Sequence, residues 1–196
     1  MPDSGHDKSQ LRAILRQRRQ DLSAERQETA ANALARQIGK LPQWPGANQI
    51  ALYLPTDGEI DTAAIVALCR QQDKQIFLPV IASDKTLSFA LWNPNTQLIE
   101  NRYGIAEPPQ NAHRCPAEKL DIIFMPLVGW DRQGGRLGMG GGFYDRSLDG
   151  VSGPTLVGLA HSLQEVDFIP RESWDIGLDF IATDSALHKC QGIDSR

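Results

Sequence analysis

Residues 120–130, LDIIFMPLVGW, are apolar at nearly every position. The run is far shorter than the ~20 residues that a membrane span needs. It has no polar face at helical spacing, so it predicts a strand buried on both sides. Such a strand belongs in the middle of a parallel sheet with a layer packed on each face, which restricts the rest of the chain to elements that can supply those layers.

The neighbouring patterns agree. Residues 49–55 (QIALYLP) and 74–80 (KQIFLPV) are also continuous apolar runs. Between them AAIVALCRQQ turns Ile65, Leu68 and Cys69 to one side of a helix, with Asp61 or Thr62 as its cap. Strand, helix, strand is the unit that makes neighbouring strands parallel. Residues 86–92 (TLSFALW) alternate and predict a strand nearer the sheet edge, and residues 155–160 and 179–183 predict two more. Near the N-terminus, Leu11, Ile14, Leu15 and Leu22 mark one helix; Ser23 starts a second that stops near Gly39 and Pro42. The expected fold is α/β. One domain over residues 1–196 holds a mostly parallel, open, Rossmann-like three-layer sheet with helices on both faces, preceded by an N-terminal helical pair.

A chain of 196 residues buries a core without disulfide or metal staples. Cys69, Cys115 and Cys190 lie far apart and in no CxxC, which argues against a disulfide framework and a zinc site and points to a reducing, cytoplasmic setting. The four histidines, His6, His113, His161 and His188, form no HxxxH pair. The first residues lack the apolar core of a signal peptide, and no run is long enough for a membrane. A net charge of −4 gives no general attraction for nucleic acid. A monomer is expected. One segment opposes the overall charge: KSQLRAILRQRR carries Lys8, Arg12, Arg16, Arg18 and Arg19 without an acid. Most of these cations are expected on a solvated helix face, but such a helix also brings positive charge to an anionic ligand.

Directly after the long apolar run comes QGGRLGMGGGFYDR, residues 133–146. In open α/β sheets, ligands bind beyond the carboxyl ends of the strands. Glycines there let the backbone take positive φ and approach a ligand closely, and a helix start at FYDRSL favours an anion. The segment is not a GxxxxGK[ST] loop. It is not GxGxxG either, because Phe143 or Asp145 stands where the last glycine belongs. A flexible linker would favour Ser and Asn over embedded Arg136, Leu137, Phe143 and Tyr144, so the loop reads as a phosphate cradle. Arg136 and Arg146 flank it as candidate phosphate clamps. Asp145 stands where a cation bridging phosphate oxygens needs a carboxylate, a place that the helix dipole also favours for an acid.

Together, GGRLGMGGGFYDR, the upstream IIFMPLVGWD and the K…LR opening resemble the 5-formyltetrahydrofolate cyclo-ligase family. The pattern RLGxGxGYYDR is matched from Arg136 to Arg146, with Phe143 in place of the first tyrosine; YLPTDGEIDT (53–62), YGIAEP (103–108) and WDIGLD (174–179) match as well. The resemblance implies an enzyme that uses ATP and magnesium to convert 5-formyltetrahydrofolate, its small-molecule partner, to 5,10-methenyltetrahydrofolate through a phosphorylated formyl group. It implies that Lys8, Arg12, Arg136, Leu137, Gly138, Met139, Gly140, Gly141, Gly142, Phe143 and Tyr144 bind the nucleotide. By the same resemblance Arg136, Tyr144 and Arg146 serve the chemistry, Leu54 and Glu59 contact folate, and Asp145 and Asp179 hold magnesium. From its own chemistry, Glu59 is an acceptor suited to the donors of a pterin, or a solvated loop acid. Tyr53, Trp92 and Tyr103 are flat enough to stack on a pterin, or to pack a core. Two other classes fit such a sheet. A sugar-phosphate isomerase or coenzyme A transferase-like enzyme would not need Lys8, Arg12 and the glycine loop together with ATP. A non-catalytic nucleotide-binding regulator would bind ATP and release no phosphate with folate.

Overall fold

The computed structural model describes residues 4–190. Its α-helices are α1 (Ser4–Gln20), α2 (Ala24–Ile38), α3 (Ala63–Gln71) and α4 (Phe143–Leu148). The strands are β1 (Gln49–Ala51), β2 (Gln75–Ile81), β3 (Leu87–Leu91), β4 (Ile99–Glu100), β5 (Ala106–Glu107), β6 (Arg114–Cys115), β7 (Ile122–Pro126), β8 (Gly129–Trp130), β9 (Arg136–Leu137), β10 (Thr155–Leu159), β11 (Phe180–Ala182) and β12 (Leu187–Lys189). Eight of these form one sheet in the order β12-β11-β10-β7-β1-β2-β3-β6. The strands from β11 to β2 run parallel. Antiparallel strands finish both sides, β12 on β11, and β3 then β6 beyond β2.

The apolar runs are continuous because both faces are covered. Along β7, Ile122 and Phe124 enter one core cluster while Ile123 and Met125 enter the other. In β2, Ile76 and Leu78 share the first cluster and Phe77 joins the second. Helices α2 and α3 cover the first face with Leu34, Ile38, Ile65 and Cys69. Helix α4 helps cover the second with Leu148 and Tyr144. All three cysteines are buried and free. No helix among the described residues is long and apolar enough to cross a membrane.

The N-terminal helices serve different parts of the molecule. Ser23 caps α2, its side chain accepting from Arg26 N at 3.3 Å, and α2 packs with α3 on the sheet. Helix α1 instead lays Leu11 and Leu15 on Val128, Leu137 and Ile169. Ile14, expected on that apolar stripe, is 51% exposed. It lies about 100° around the helix from Leu15, on the solvent side. At the start of α3, Asp61 Oδ1 accepts from Ala63 N at 2.7 Å. The Thr62 hydroxyl turns away to donate to Tyr53 O at 2.8 Å, tying the helix start to the end of β1.

The strand order positions the site. From β1 the chain crosses to β2 on one side; from β7 it crosses to β10 and β11 on the other. Connections leaving β1 and β7 therefore diverge, and a crevice opens between them at the carboxyl ends of the strands.

Candidate active site

A cleft of about 820 Å³ occupies that crevice, toward the large end of the ~300–1,000 Å³ usual for ligand sites. Beyond β7 the chain forms the β8–β9 hairpin, in which Trp130 pairs with Arg136 and Gly129 with Leu137. Buried Asp131 fixes the hairpin. Its carboxylate accepts from Gln133 N at 2.9 Å, Gly135 N at 2.7 Å and Ile169 N at 2.8 Å. Residues 138–142 then turn out of the hairpin into α4. Gly140 and Gly142 hold φ of 93° and 63°, which side-chain-bearing residues resist.

Helix α1 forms the wall beside this loop. Arg12 Nε donates to Gly138 O at 2.9 Å. Lys8 Nζ, four residues earlier on the same face, lies 3.7 Å from Asp175 and 3.9 Å from Glu172. The Arg136 guanidinium pairs with Asp145 and donates from Nε to Ile176 O at 2.8 Å. Ile176 N donates back to Asp145 Oδ1 at 3.0 Å. This clasp joins the start of α4 to the segment carrying Glu172, Trp174 and Asp175, and the Trp174 ring is exposed at the cleft. Arg146 donates to Gly141 O at 2.5 Å and sits 5.7 Å above the Phe143 ring, which Tyr103 meets edge-on at 6.3 Å.

The turn after β1 forms the opposing wall with Leu54, Thr56 and Glu59. Glu59 Oε2 accepts from Thr56 N at 3.0 Å. Burial pushes the Glu59 carboxyl above the ordinary glutamate range, and the charge of Asp57 adds to the rise. The Tyr144 hydroxyl is raised by burial first and by the Glu59 charge second. Tyr53 lines the cleft from a buried position, its hydroxyl donating to Ile60 O at 3.0 Å. Trp92 packs on the α2–α3 side of the core, with the Arg70 guanidinium 4.8 Å from its ring, so it takes the packing role. Tyr103 presents an exposed ring to the cleft.

Lys8, Arg12, Leu54, Glu59 and all eleven residues from Arg136 to Arg146 line this single cleft. Asp179 does not join them. It precedes β11 at the amino end of the sheet, where its carboxylate accepts from Leu156 N at 2.7 Å. That carboxylate organises the start of β10 and is not among the residues lining the cleft, whereas Asp145 is. Trp174, Asp175 and Asp131 were not singled out by sequence. Neither was Arg19, although it continues the Lys8–Arg12 helical stripe.

A model of the 5-formyltetrahydrofolate cyclo-ligase family matches residues 4–184, a span that includes both walls of the cleft. The chain belongs to that family. Similar proteins include the 5-formyltetrahydrofolate cyclo-ligase of Haemophilus influenzae, 39% identical over 176 residues (87% of this chain, 94% of that one). That of Escherichia coli K12 is 37% identical over 179 residues (89% and 98%). Among solved structures, the NMR structure of Aquifex aeolicus 5,10-methenyltetrahydrofolate synthetase has a TM-score of 0.82 at 31% identity, covering 96% of this chain and 95% of that one. The cyclo-ligases are ligases of folate metabolism, so the chain is an enzyme of that class and the isomerase, transferase and regulator readings fall away.

Proposed function

We propose that the cleft binds ATP beside 5-formyltetrahydrofolate and drives ring closure to 5,10-methenyltetrahydrofolate. One observation carries this reading. A cationic, glycine-rich wall built from Lys8, Arg12 and residues 136–146, with the Tyr103 ring edge-on to its Phe143, shares one cleft with the turn that carries apolar Leu54 and the half-buried Glu59 carboxylate. The first suits a triphosphate. The second suits a flat pterin with N–H donors.

An amide oxygen is a poor leaving group and a phosphate is a good one. In the proposed reaction the formyl oxygen attacks the γ-phosphorus and the bond to ADP breaks. The neighbouring amine nitrogen then attacks the formyl carbon and loses its proton as phosphate departs. One C–N bond forms, and the formyl oxygen leaves in the phosphate. The protein's part is positioning and charge neutralisation. Lys8 is held by Glu172 and Asp175 only at 3.7–3.9 Å, loose pairs that a triphosphate replaces. Arg12 fixes the loop through Gly138 O while lining the same wall. Tyr144, with its hydroxyl raised by burial, stays neutral and lines the cleft without adding charge.

The donor set fits magnesium. Asp145 lines the cleft in the first turn of α4, and among the described residues no group of three or more His, Cys, Asp and Glu is placed to cage an ion. Magnesium commonly takes only one or two carboxylates, with phosphate and water completing its shell. Asp145 would hold it, and the ion would supply positive charge against the phosphates.

The direct assay mixes protein, ATP, magnesium and 5-formyltetrahydrofolate and follows near-ultraviolet absorbance. Methenyl product is expected, and only when ATP is present. A folded protein that binds ATP and forms none overturns the reading.

Two variants separate the walls. Lys8→Ala and Arg12→Ala each remove a cation facing phosphate, and charge-assisted contacts are worth about 1.5–3 kcal/mol, so the KM for ATP should rise roughly ten- to hundredfold. The KM for folate should change little. Unchanged ATP dependence in both variants returns α1 to a solvated face.

Glu59→Gln should raise the folate KM about tenfold at neutral pH, because an amide offers a donor where an acceptor is wanted. The acceptor is the ionised carboxylate, and its pKa lies above the ordinary glutamate value. In the unsubstituted enzyme the folate KM therefore rises as pH falls through that elevated pKa, and is flat above it. Steady-state kinetics across acidic pH should show this limb vanish in Glu59→Gln. A limb that persists assigns it to another group.

A further inference from the structure

We propose that Arg19 is a positioning residue for the folate half of the cleft, acting through Asp57. The proposal rests on the folate reading above. Arg19 is fully buried in the last turn of α1. Its Nε donates to Asp57 O at 2.8 Å, Nη2 to Asp57 Oδ2 at 2.8 Å, and Nη1 to Leu127 O at 3.3 Å; Met139 Sδ lies 3.9 Å from Nη2. One guanidinium thus touches the turn after β1, the chain leaving β7 and the glycine loop. A buried charge is a poor source of bulk stability, because apolar residues of similar size fill such a place as well. Its contacts here go to the loops that shape the cleft.

Asp57 is the handle of the folate-facing turn. It holds φ at 53°, a conformation that few residues other than glycine adopt. Arg16 Nε also donates to it at 2.7 Å, and Gln20 adds a further bond. The Arg16 hydrogen bond, with those of Arg19 and Gln20, holds the Asp57 carboxyl down to about 2, so the strap stays charged until deep in the acid range. The turn closes on itself, since Thr56 N donates to Glu59 Oε2 at 3.0 Å and Glu59 N to Thr56 O at 2.9 Å. Wherever Asp57 is held, Glu59 follows. On its other side, the His161 ring lies 3.3 Å from Gly58 O.

Helix α1 carries Lys8 and Arg12 toward the phosphates and Arg19 toward this turn, about 16 Å from Lys8 and about 10 Å from Arg12 at ~1.5 Å per residue. One rigid rod therefore sets the spacing between the two halves of the cleft. Movement of Asp57 should disturb folate and leave ATP alone, while loss of Arg19 reaches the glycine loop as well.

Asp57→Asn keeps the side-chain shape and tolerates the same backbone conformation; Arg19→Met keeps length without charge. Titration calorimetry measures binding of 5-formyltetrahydrofolate and, separately, of a non-hydrolysable ATP analogue, with thermal unfolding and steady-state kinetics alongside. For Asp57→Asn, folate affinity should fall about tenfold, with ATP-analogue affinity within about twofold and kcat kept at saturating folate. Arg19→Met should lose at least as much folate affinity, and adding Asp57→Asn to it should cost nothing further, because both changes act on one contact. Unchanged folate binding in Asp57→Asn overturns the proposal. So do parallel losses of both ligands in Asp57→Asn that track a falling melting temperature, which mark a structural role. If Arg19→Met does not fold, Asp57→Asn alone decides. Unsubstituted protein that binds the ATP analogue but no folate removes the folate reading itself, an outcome distinct from folate binding that Asp57→Asn leaves intact.

Discussion

Gly142→Val is expected to lower turnover at least about hundredfold in a protein that still unfolds cooperatively. Gly142 sits at the N-cap of α4 with φ 63° and ψ 22°. A Cβ there would lie 2.8 Å from Arg146 Nη1. A β-branched residue resists this backbone conformation at a cost of about 1–3 kcal/mol, so the loop should move to escape it. The move displaces the Arg146 guanidinium and turns the backbone away from the phosphates. Loss of two such charge-assisted contacts, at about 1.5–3 kcal/mol each, accounts for a hundredfold effect or more. Global unfolding should shift little because residues 140 and 141 are exposed and outside the core. The check is kcat/KM beside a thermal melt. Near-normal activity would show that residue 142 is not part of a tight cradle.

Asp145→Asn should cost about hundredfold in rate and raise the magnesium requirement, as expected when a carboxylate that holds the ion against developing phosphate charge is neutralised. Here the structure adds an element that the sequence does not reveal. Asp145 also pairs with Arg136, whose side chain is only 9% exposed, and accepts from Ile176 N. The amide can still accept from Ile176 but no longer balances the guanidinium. Removing that charge costs about 1.5 kcal/mol, so the melting temperature should fall by roughly 3–6 °C. Turnover is measured against magnesium concentration with unfolding alongside. A rate that recovers as magnesium is raised supports the metal role. A magnesium curve like that of the unsubstituted enzyme, with only a lowered melting temperature, would make Asp145 purely a partner of Arg136.

The central strands were legible because burial on both faces writes itself into sequence as unbroken apolar runs. The glycine loop was legible because positive φ leaves a compositional mark. Other features depend on distant partners. The basic run of α1 gives no sign that Arg19 is buried while Arg18 is exposed, since the acceptors of Arg19 come from Asp57 and Leu127. The i, i+4, i+11 placement of Lys8, Arg12 and Arg19 was the available signal, and the charge of the segment masked it. Asp179 matched a local motif, but its position at the amino end of β11 follows from sheet topology. Strands of two residues such as β4, β5 and β6 are too short for any period to register.

The proposed chemistry makes one atom diagnostic. If the formyl oxygen attacks the γ-phosphorus, that oxygen must leave in the phosphate. The measurement is turnover of 5-formyltetrahydrofolate carrying ¹⁸O in the formyl group, with mass spectrometry of the released phosphate. One labelled oxygen is expected in each phosphate formed alongside methenyl product. Unlabelled phosphate would mean that ATP is cleaved by water and that ring closure, if it occurs, proceeds without phosphoryl transfer to the formyl group.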